Sequence, residues 1–166
     1  DFNAAIPSQL GRAKATDTTP PLYTGDGGIG AWSHVVETEG IGGIKGFRCT
    51  DNKAGTGTEL TSKPEWKANS PKAQLGFKFY CTQPQTLILT AGDFATEIEI
   101  TAAEDHWQEM QIPASKPINP TNQKRLASWK GVTALHLKPK ADADITKVLF
   151  AQFSWVLPGE TTTKKN

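Results

Sequence analysis

The sequence has 166 residues, a length that suits one domain able to bury a core without metals or disulfides. Its 18 Lys and Arg nearly balance 17 Asp and Glu, so the formal charge is +1, and no long run of one sign supports a nucleic-acid or membrane-surface partner. The longest apolar stretches fall far short of the roughly 18 residues that cross a bilayer.

The two ends of the chain differ in composition from its middle. Residues 1–19 lack apolar periodicity and lead into the stretch TDTTPP, which is typical of an arm or linker. We therefore predict a domain at residues 20–157 and a polar tail at residues 158–166. Because the chain starts with Asp1 and has no signal-like segment, we expect that its start was processed or that it comes from a longer protein.

The two cysteines, Cys49 and Cys81, occur in similar settings, FRCT and FYCT. Since alternate residues of a strand share a face, Phe47 would point inward with Cys49, and Phe79 with Cys81. Two interpretations are open. The cysteines could form a disulfide across two strands, as an exported protein allows, or remain two buried free thiols.

Alternation of apolar and polar residues predicts strands through the second half of the chain. The segments are AQLGFKFYC, TLILTA, TEIEIT, WQEMQI, VTALHLK and KVLFAQFSWVL. In the last segment the inward face would carry Leu149, Ala151, Phe153, Trp155 and Leu157. Phe150 and Gln152 would then point outward. No window has a helical stripe, and only residues 121–130 could hold one helical turn. The sequence therefore predicts an all-β fold, an antiparallel β-sandwich.

The order of these segments carries a family resemblance. With WQEMQI, WKGVTAL and FAQFSWV at its tryptophan-marked strands, the chain resembles galactose-binding-like jelly rolls, especially the carbohydrate-binding modules of secreted bacterial polysaccharide-degrading enzymes. The resemblance covers residues 75–157 and, less closely, residues 20–74. It implies a non-catalytic module that binds a polysaccharide or oligosaccharide, as a monomeric, extracellular part of a multidomain protein.

The resemblance also implies one structural calcium ion, because modules of this kind often hold one away from the sugar site. Oxygen ligands could come from the turn TGDGGIG and from Glu37, Glu39 and Asp51.

The five tryptophans have different expected roles. Parity and position predict that Trp129 and Trp155 lie in the core. Trp32 would share one strand face with His34 and Val36, and we expect it to lie in the core as well. Trp107 is either a half-covered residue at a strand edge or a platform for a ligand. Trp66, in the loop SKPEWKANSPK, is either exposed or folded back as a plug over the sandwich.

Exposed aromatic rings matter for sugar binding because a flat ring stacks on the C–H face of a pyranose while polar side chains bond its hydroxyls. The predicted stacking residues are Trp66, Trp107 and Tyr80. The predicted hydrogen-bonding residues are His136, Lys138, Glu97, Glu99 and Gln152. Together with Lys78, Glu109 and Gln111, these polar residues are predicted to share one wet surface. Either the sheet face or the loops at its edge could form the site.

Catalysis is not expected. The sequence contains no nucleophile elbow, phosphate loop or zinc-binding pair of histidines. Glu97 and Glu99 would lie about 7 Å apart, a spacing that suits glycoside hydrolysis, but alternating glutamates are common on strands. The alternative to a sugar-binding module is a structural or protein-interaction β-sandwich of a large exported protein.

Overall fold

The computed structural model describes residues 32–61 and 66–158. The predicted arm at residues 1–19, the TGDGGIG turn and all but the first residue of the predicted tail lie outside the described residues. Within the described ranges, no helix has the length and apolar character needed to cross a membrane.

The described chain forms nine strands in two antiparallel sheets. The strands are β1 (Val35–Glu39), β2 (Lys45–Cys49), β3 (Thr56–Glu59), β4 (Gln74–Tyr80), β5 (Gln85–Ala91), β6 (Phe94–Ile100), β7 (Gln108–Ile112), β8 (Ala134–Pro139) and β9 (Leu149–Val156). The five-stranded sheet has the order β1-β2-β9-β4-β7, and the four-stranded sheet has the order β3-β8-β5-β6. Short 3-10 turns lie at Ile41–Gly43, Trp129–Gly131 and Ile145–Lys147. The predicted β-sandwich is confirmed.

Strict alternation along the strands produces the single core between the sheets. Ile98 and Ile100 of β6 are buried, as are Leu135 and Leu137 of β8, while the two glutamates that alternate with the isoleucines are exposed. Burying each such side chain stabilises the fold by about 1.5–3 kcal/mol relative to exposure. The alternation of apolar and polar residues in the segments TEIEIT and VTALHLK thus matches the burial of their side chains.

For the residues of β9 that precede a β-bulge, the predicted inward face is wrong. Pairing of β9 with β4 shifts register between Ala151 and Ser154, and Gln152 has a φ of 58°. A bulge inserts one extra residue and so reverses which residues point inward. Phe150 and Phe153 are consequently both fully buried, although they are three residues apart. The prediction that Phe150 points outward is therefore wrong.

Aromatic rings meet around this bulge. The Phe153 ring stacks on Phe77 with centroids 4.6 Å apart, and it lies 4.6 Å from the Trp32 ring and 6.0 Å from the Phe47 ring. Phe150 lies 5.9 Å from Phe153. Stacked and tilted pairs of this kind contribute about 0.5–1.5 kcal/mol each beyond their buried area. The core position predicted for Trp32 is confirmed.

The residues next to Trp32 do not share its face. Trp32 is 5% exposed, whereas His34 and Val36 are exposed. His34 has a φ of 53°, which interrupts the extended backbone and reverses the parity of the residues that follow. The prediction that these three residues share one face is therefore wrong.

The disulfide interpretation of Cys49 and Cys81 is also wrong. Both thiols are free and buried. Cys49 ends β2 and Cys81 follows β4, and β9 lies between these two strands. Strands on either side of a third are about 9.5 Å apart, whereas a disulfide needs Cα atoms within about 7 Å. The thiols instead donate to the carbonyl oxygens of Asp51 at 3.3 Å and Gln83 at 2.6 Å.

The bulge makes a prediction about Gln152. A side chain in the left-handed region is strained, so Gln152→Gly should raise the free energy of unfolding by about 0.5–1 kcal/mol. Gln152→Val, whose branched side chain tolerates this region poorly, should lower it by about 1 kcal/mol. Urea denaturation of both variants measures the difference. An equal decrease in the free energy of unfolding of both variants would show that the bulge does not impose this backbone conformation.

Two buried threonines of β3 give a matched stability test. The Thr56 hydroxyl donates to the Ser33 carbonyl at 2.6 Å, whereas the buried Thr58 hydroxyl has no hydrogen-bond partner among the described residues. Thr56→Val should lower the free energy of unfolding by about 1–2 kcal/mol, because a hydrogen bond is lost. Thr58→Val should leave it unchanged or raise it by about 1 kcal/mol, because an unsatisfied polar atom is removed. Thermal or urea unfolding measures the free energy of unfolding of both variants. A larger decrease in Thr58→Val than in Thr56→Val would contradict the hydrogen bonding described for the two hydroxyls.

Candidate functional site

The structure divides the predicted ligand-binding residues between opposite outer surfaces of the sandwich. Tyr80, Trp107 and Gln152 belong to the five-stranded sheet or its border. The other sheet carries Glu97, Glu99, His136 and Lys138. The prediction that the polar residues share one surface is wrong, because alternation within a strand does not reveal which sheet the strand joins.

Two aromatic side chains lie together on the outer face of the five-stranded sheet. The Tyr80 and Trp107 rings are 6.1 Å apart and inclined at 53°. Both residues are half-buried. The Tyr80 hydroxyl donates to the Glu104 carbonyl at 3.0 Å, and the Trp107 indole N–H donates to the Ile41 carbonyl at 2.9 Å. Their polar atoms are thus held by the backbone, and Trp107 is the half-covered edge residue that one interpretation expected.

Polar and small residues adjoin this pair on the same face. In the register of β4 and β7, Lys78 lies opposite Glu109 and Gly76 opposite Gln111. In the register of β4 and β9, Gly76 lies opposite Ser154. We call the outward-facing set Lys78, Tyr80, Trp107, Glu109 and Gln111 the Trp107 patch. It combines aromatic rings, an ammonium group, a carboxylate and an amide, the groups that a sugar site needs.

The loop before Trp107 carries an exposed ion pair. His106 Nδ1 and Asp105 Oδ1 are 2.7 Å apart. The hydrogen bond from His106 lowers the pKa of the Asp105 carboxyl. Because both side chains are well exposed, this contact contributes little to stability.

The predicted residues of the four-stranded sheet are engaged with their neighbours. Glu97 forms an ion pair with Lys140 at 2.6 Å, and Glu99 accepts a hydrogen bond from the Thr86 hydroxyl at 3.1 Å. His136 Nε2 lies 3.0 Å from the Ala54 carbonyl oxygen. The predicted set on this face contains no Trp or Tyr ring, so it offers no stacking platform.

A shallow depression of about 370 Å³ lies beside the outer face of β6. It is lined by Ile88, Ala95, Thr96, Glu97, Lys116, Ile118 and Pro120. The lining of this depression contains no aromatic ring. The Trp107 patch has two aromatic rings beside polar side chains, a combination that suits a pyranose.

Trp66 is folded back as a plug. Its half-buried side chain packs against the core cluster, and its carbonyl oxygen accepts the Trp155 indole N–H at 2.8 Å. Trp129 and Trp155 are fully buried, and the Trp129 indole N–H donates to the Ile112 carbonyl at 2.9 Å. The core positions predicted for Trp129 and Trp155 are confirmed.

The described acids do not form a metal site. Asp51 closes a turn, and the backbone N–H of Ala54, with that of Lys53, lowers the pKa of its carboxyl. Glu37 and Glu39 are exposed on β1. Across residues 32–61 and 66–158, no three His, Cys, Asp or Glu side chains are grouped to hold an ion. The calcium expectation therefore depends on the TGDGGIG turn, outside the described residues, and stays a prediction.

The comparisons with known proteins concern the fold. The sequence matches no protein-family model and no curated protein. The family 11 carbohydrate-binding module of the cellulosomal cellulase Lic26A-Cel5E of Clostridium thermocellum is similar in structure. Its TM-score is 0.56 at 12% identity, over 86% of this chain and 96% of that chain. The C-terminal family 22 module of Xyn10B from the same organism gives 0.53 at 11% identity, over 89% and 99%.

A third structure adds a ligand. A family 11 module from Clostridium thermocellum, in complex with a β-1,3-1,4-mixed-linked tetrasaccharide, gives a TM-score of 0.50 at 12% identity, over 80% of this chain and 92% of that chain. The chain has the fold of a carbohydrate-binding module. At these identities the likeness establishes the fold, and the expected jelly-roll resemblance is confirmed at that level.

Both cysteines should be chemically inert in the folded protein. Burial is the main cause that raises the pKa of each thiol, so little thiolate forms at neutral or mildly alkaline pH. We expect no reaction with an aromatic disulfide reagent under native conditions and reaction of both thiols after denaturation in urea. Prompt modification of the folded protein would contradict the buried positions of Cys49 and Cys81.

Proposed function

We propose that the protein is a non-catalytic carbohydrate-binding module that holds a polysaccharide or oligosaccharide at the Trp107 patch. The observation that carries the proposal is the half-exposed pair of Tyr80 and Trp107 on one sheet face. Lys78 and Glu109, which lie opposite each other in the register, are next to this pair, and Gln111 lies two residues beyond Glu109 on the same face. Stacking on the rings and hydrogen bonds from the neighbouring side chains would together recognise a pyranose.

The chemistry of the patch favours chains of gluco- or xylo-configured pyranoses. Sugars with all hydroxyls equatorial present a flat C–H surface on both sides of the ring, which an apolar aromatic face can cover. The structural neighbour solved with a β-1,3-1,4-mixed-linked tetrasaccharide carries a ligand of this class. Mixed-linkage β-glucan is therefore the first ligand to test.

The same features support a binding role over a hydrolytic one. Glu97 and Glu99 stand exposed on a sheet face, one paired with Lys140 and the other bonded to Thr86, rather than facing each other across a cleft. A glycosidase needs two carboxyl groups that flank the bond it cleaves. We propose that the module belongs to a multidomain extracellular protein, as modules of this fold in cellulosomal enzymes do.

Two half-exposed aromatic residues on one face also favour this function over a spacer or protein-interaction sandwich. A spacer has no need to hold the hydroxyl of Tyr80 and the N–H of Trp107 on backbone carbonyls while leaving part of each residue exposed. An arrangement of fixed rings beside mixed polar groups is the form that ligand sites take.

Affinity gel electrophoresis against mixed-linkage β-glucan, xylan and a wider glycan panel tests the proposal. Trp107→Ala should weaken binding by about tenfold to a hundredfold, because a central aromatic contact is lost. Lys138→Ala, on the opposite sheet, is the matched control and should bind as the unmodified protein does. Unfolding curves confirm that both variants are folded. Equal binding by the two variants would show that the site lies outside the Trp107 patch. If the unmodified protein bound no glycan, the proposed function would be overturned.

A further inference from the structure

The turn between β1 and β2 contacts Trp107 across the outer face of the five-stranded sheet. β1 is one edge of this sheet, and Trp107 directly precedes β7, the other edge. In a flat sheet these edges would be about 19 Å apart. The Ile41 carbonyl nevertheless accepts the indole N–H at 2.9 Å. The turn and the Trp107 side chain therefore meet over the outer face, beside Leu149 of the central strand β9.

Gly40 makes this contact possible. A Cβ at Gly40 would lie 2.5 Å from Trp107 Cζ2 and 3.2 Å from Leu149 Cδ1. The first distance is too short for any side chain, so Gly40 leaves the space that the indole occupies. The indole ring thus lies against the turn on one side, and the Tyr80 ring is its aromatic neighbour, with a centroid 6.1 Å away.

We propose that the Gly40–Gly43 turn is a positioning element for sugar binding, which fixes the Trp107 ring in place before the ligand arrives. This inference rests on the proposed function. A side chain already held in its binding orientation loses little conformational entropy on binding, so the affinity is higher than for a mobile ring. Since the N–H is occupied by Ile41, the exposed part of Trp107 offers apolar ring surface, which selects for the C–H face of a pyranose.

Indole N–H signals in a proton–nitrogen correlation spectrum report this contact directly. In Gly40→Ala the Trp107 signal should shift, and its hydrogen exchange should become about five- to tenfold faster because its hydrogen bond is weakened. The signals of Trp129 and Trp155, which donate to backbone carbonyls elsewhere, serve as internal references. Ile41→Ala is the matched control in the same turn, because it keeps the carbonyl and should leave the Trp107 signal in place.

The same variants are then compared in glycan binding. Gly40→Ala should bind mixed-linkage β-glucan roughly two- to tenfold more weakly, although Trp107 is still present, and Ile41→Ala should bind normally. Trp107→Phe, which keeps an aromatic ring without the N–H donor, is a second variant should Gly40→Ala not fold. It should also bind roughly two- to tenfold more weakly, with an unfolding curve close to that of the unmodified protein.

The outcomes separate the two proposals. A shifted Trp107 signal with unchanged affinity in Gly40→Ala would overturn the positioning role, while loss of binding in Trp107→Ala would leave the proposed function standing. An unchanged Trp107 signal would also overturn the positioning role. Failure of the unmodified protein to bind any glycan would overturn both.

Discussion

The packing of Phe153 against Phe77 and Trp32 governs the geometry of the five-stranded sheet. Both rings have centroids 4.6 Å from Phe153. Phe77 lies on β4, which neighbours the middle strand β9, and Trp32 is bridged to Thr58 of the other sheet. Phe153 and Phe150 can both reach the core only because a bulge at Gln152 adds one residue between them. The core therefore determines where the strand is irregular, and the strain of one left-handed residue is offset by burying two aromatic rings.

The same bulge determines which groups reach the outer surface. Because Phe150 points inward, Leu149 before it points outward and comes within reach of Trp107 and the β1–β2 turn. Beyond the bulge, Ser154 lies opposite Gly76, and the Val156 side chain covers Gly76 on the outer face. The packing of the core thus determines which side chains of β9 border the Trp107 patch.

Much of the fold could be predicted from local sequence, because alternation reports whether each residue points inward or outward. Ile98, Ile100, Leu135 and Leu137 are buried as their spacing predicts. The choice of sheet could not be predicted, since it depends on pairing between strands far apart in sequence. For that reason the sequence predicts one shared surface for Glu97 and Lys78, although they lie on opposite sides of the sandwich.

The contact between Gly40 and Trp107 could not be predicted from local sequence for the same reason. The two residues are separated by more than half of the described chain. The glycine-rich stretch GIGGIKG indicates that another part of the chain packs closely against this turn. The sequence does not show that this part is Trp107. Once the turn is placed, the two interpretations of Trp107 become compatible. The residue is half covered because Gly40 packs on its ring and the Ile41 carbonyl accepts its indole N–H. A tryptophan buried to this degree keeps surface for a ligand and loses the freedom that would oppose binding.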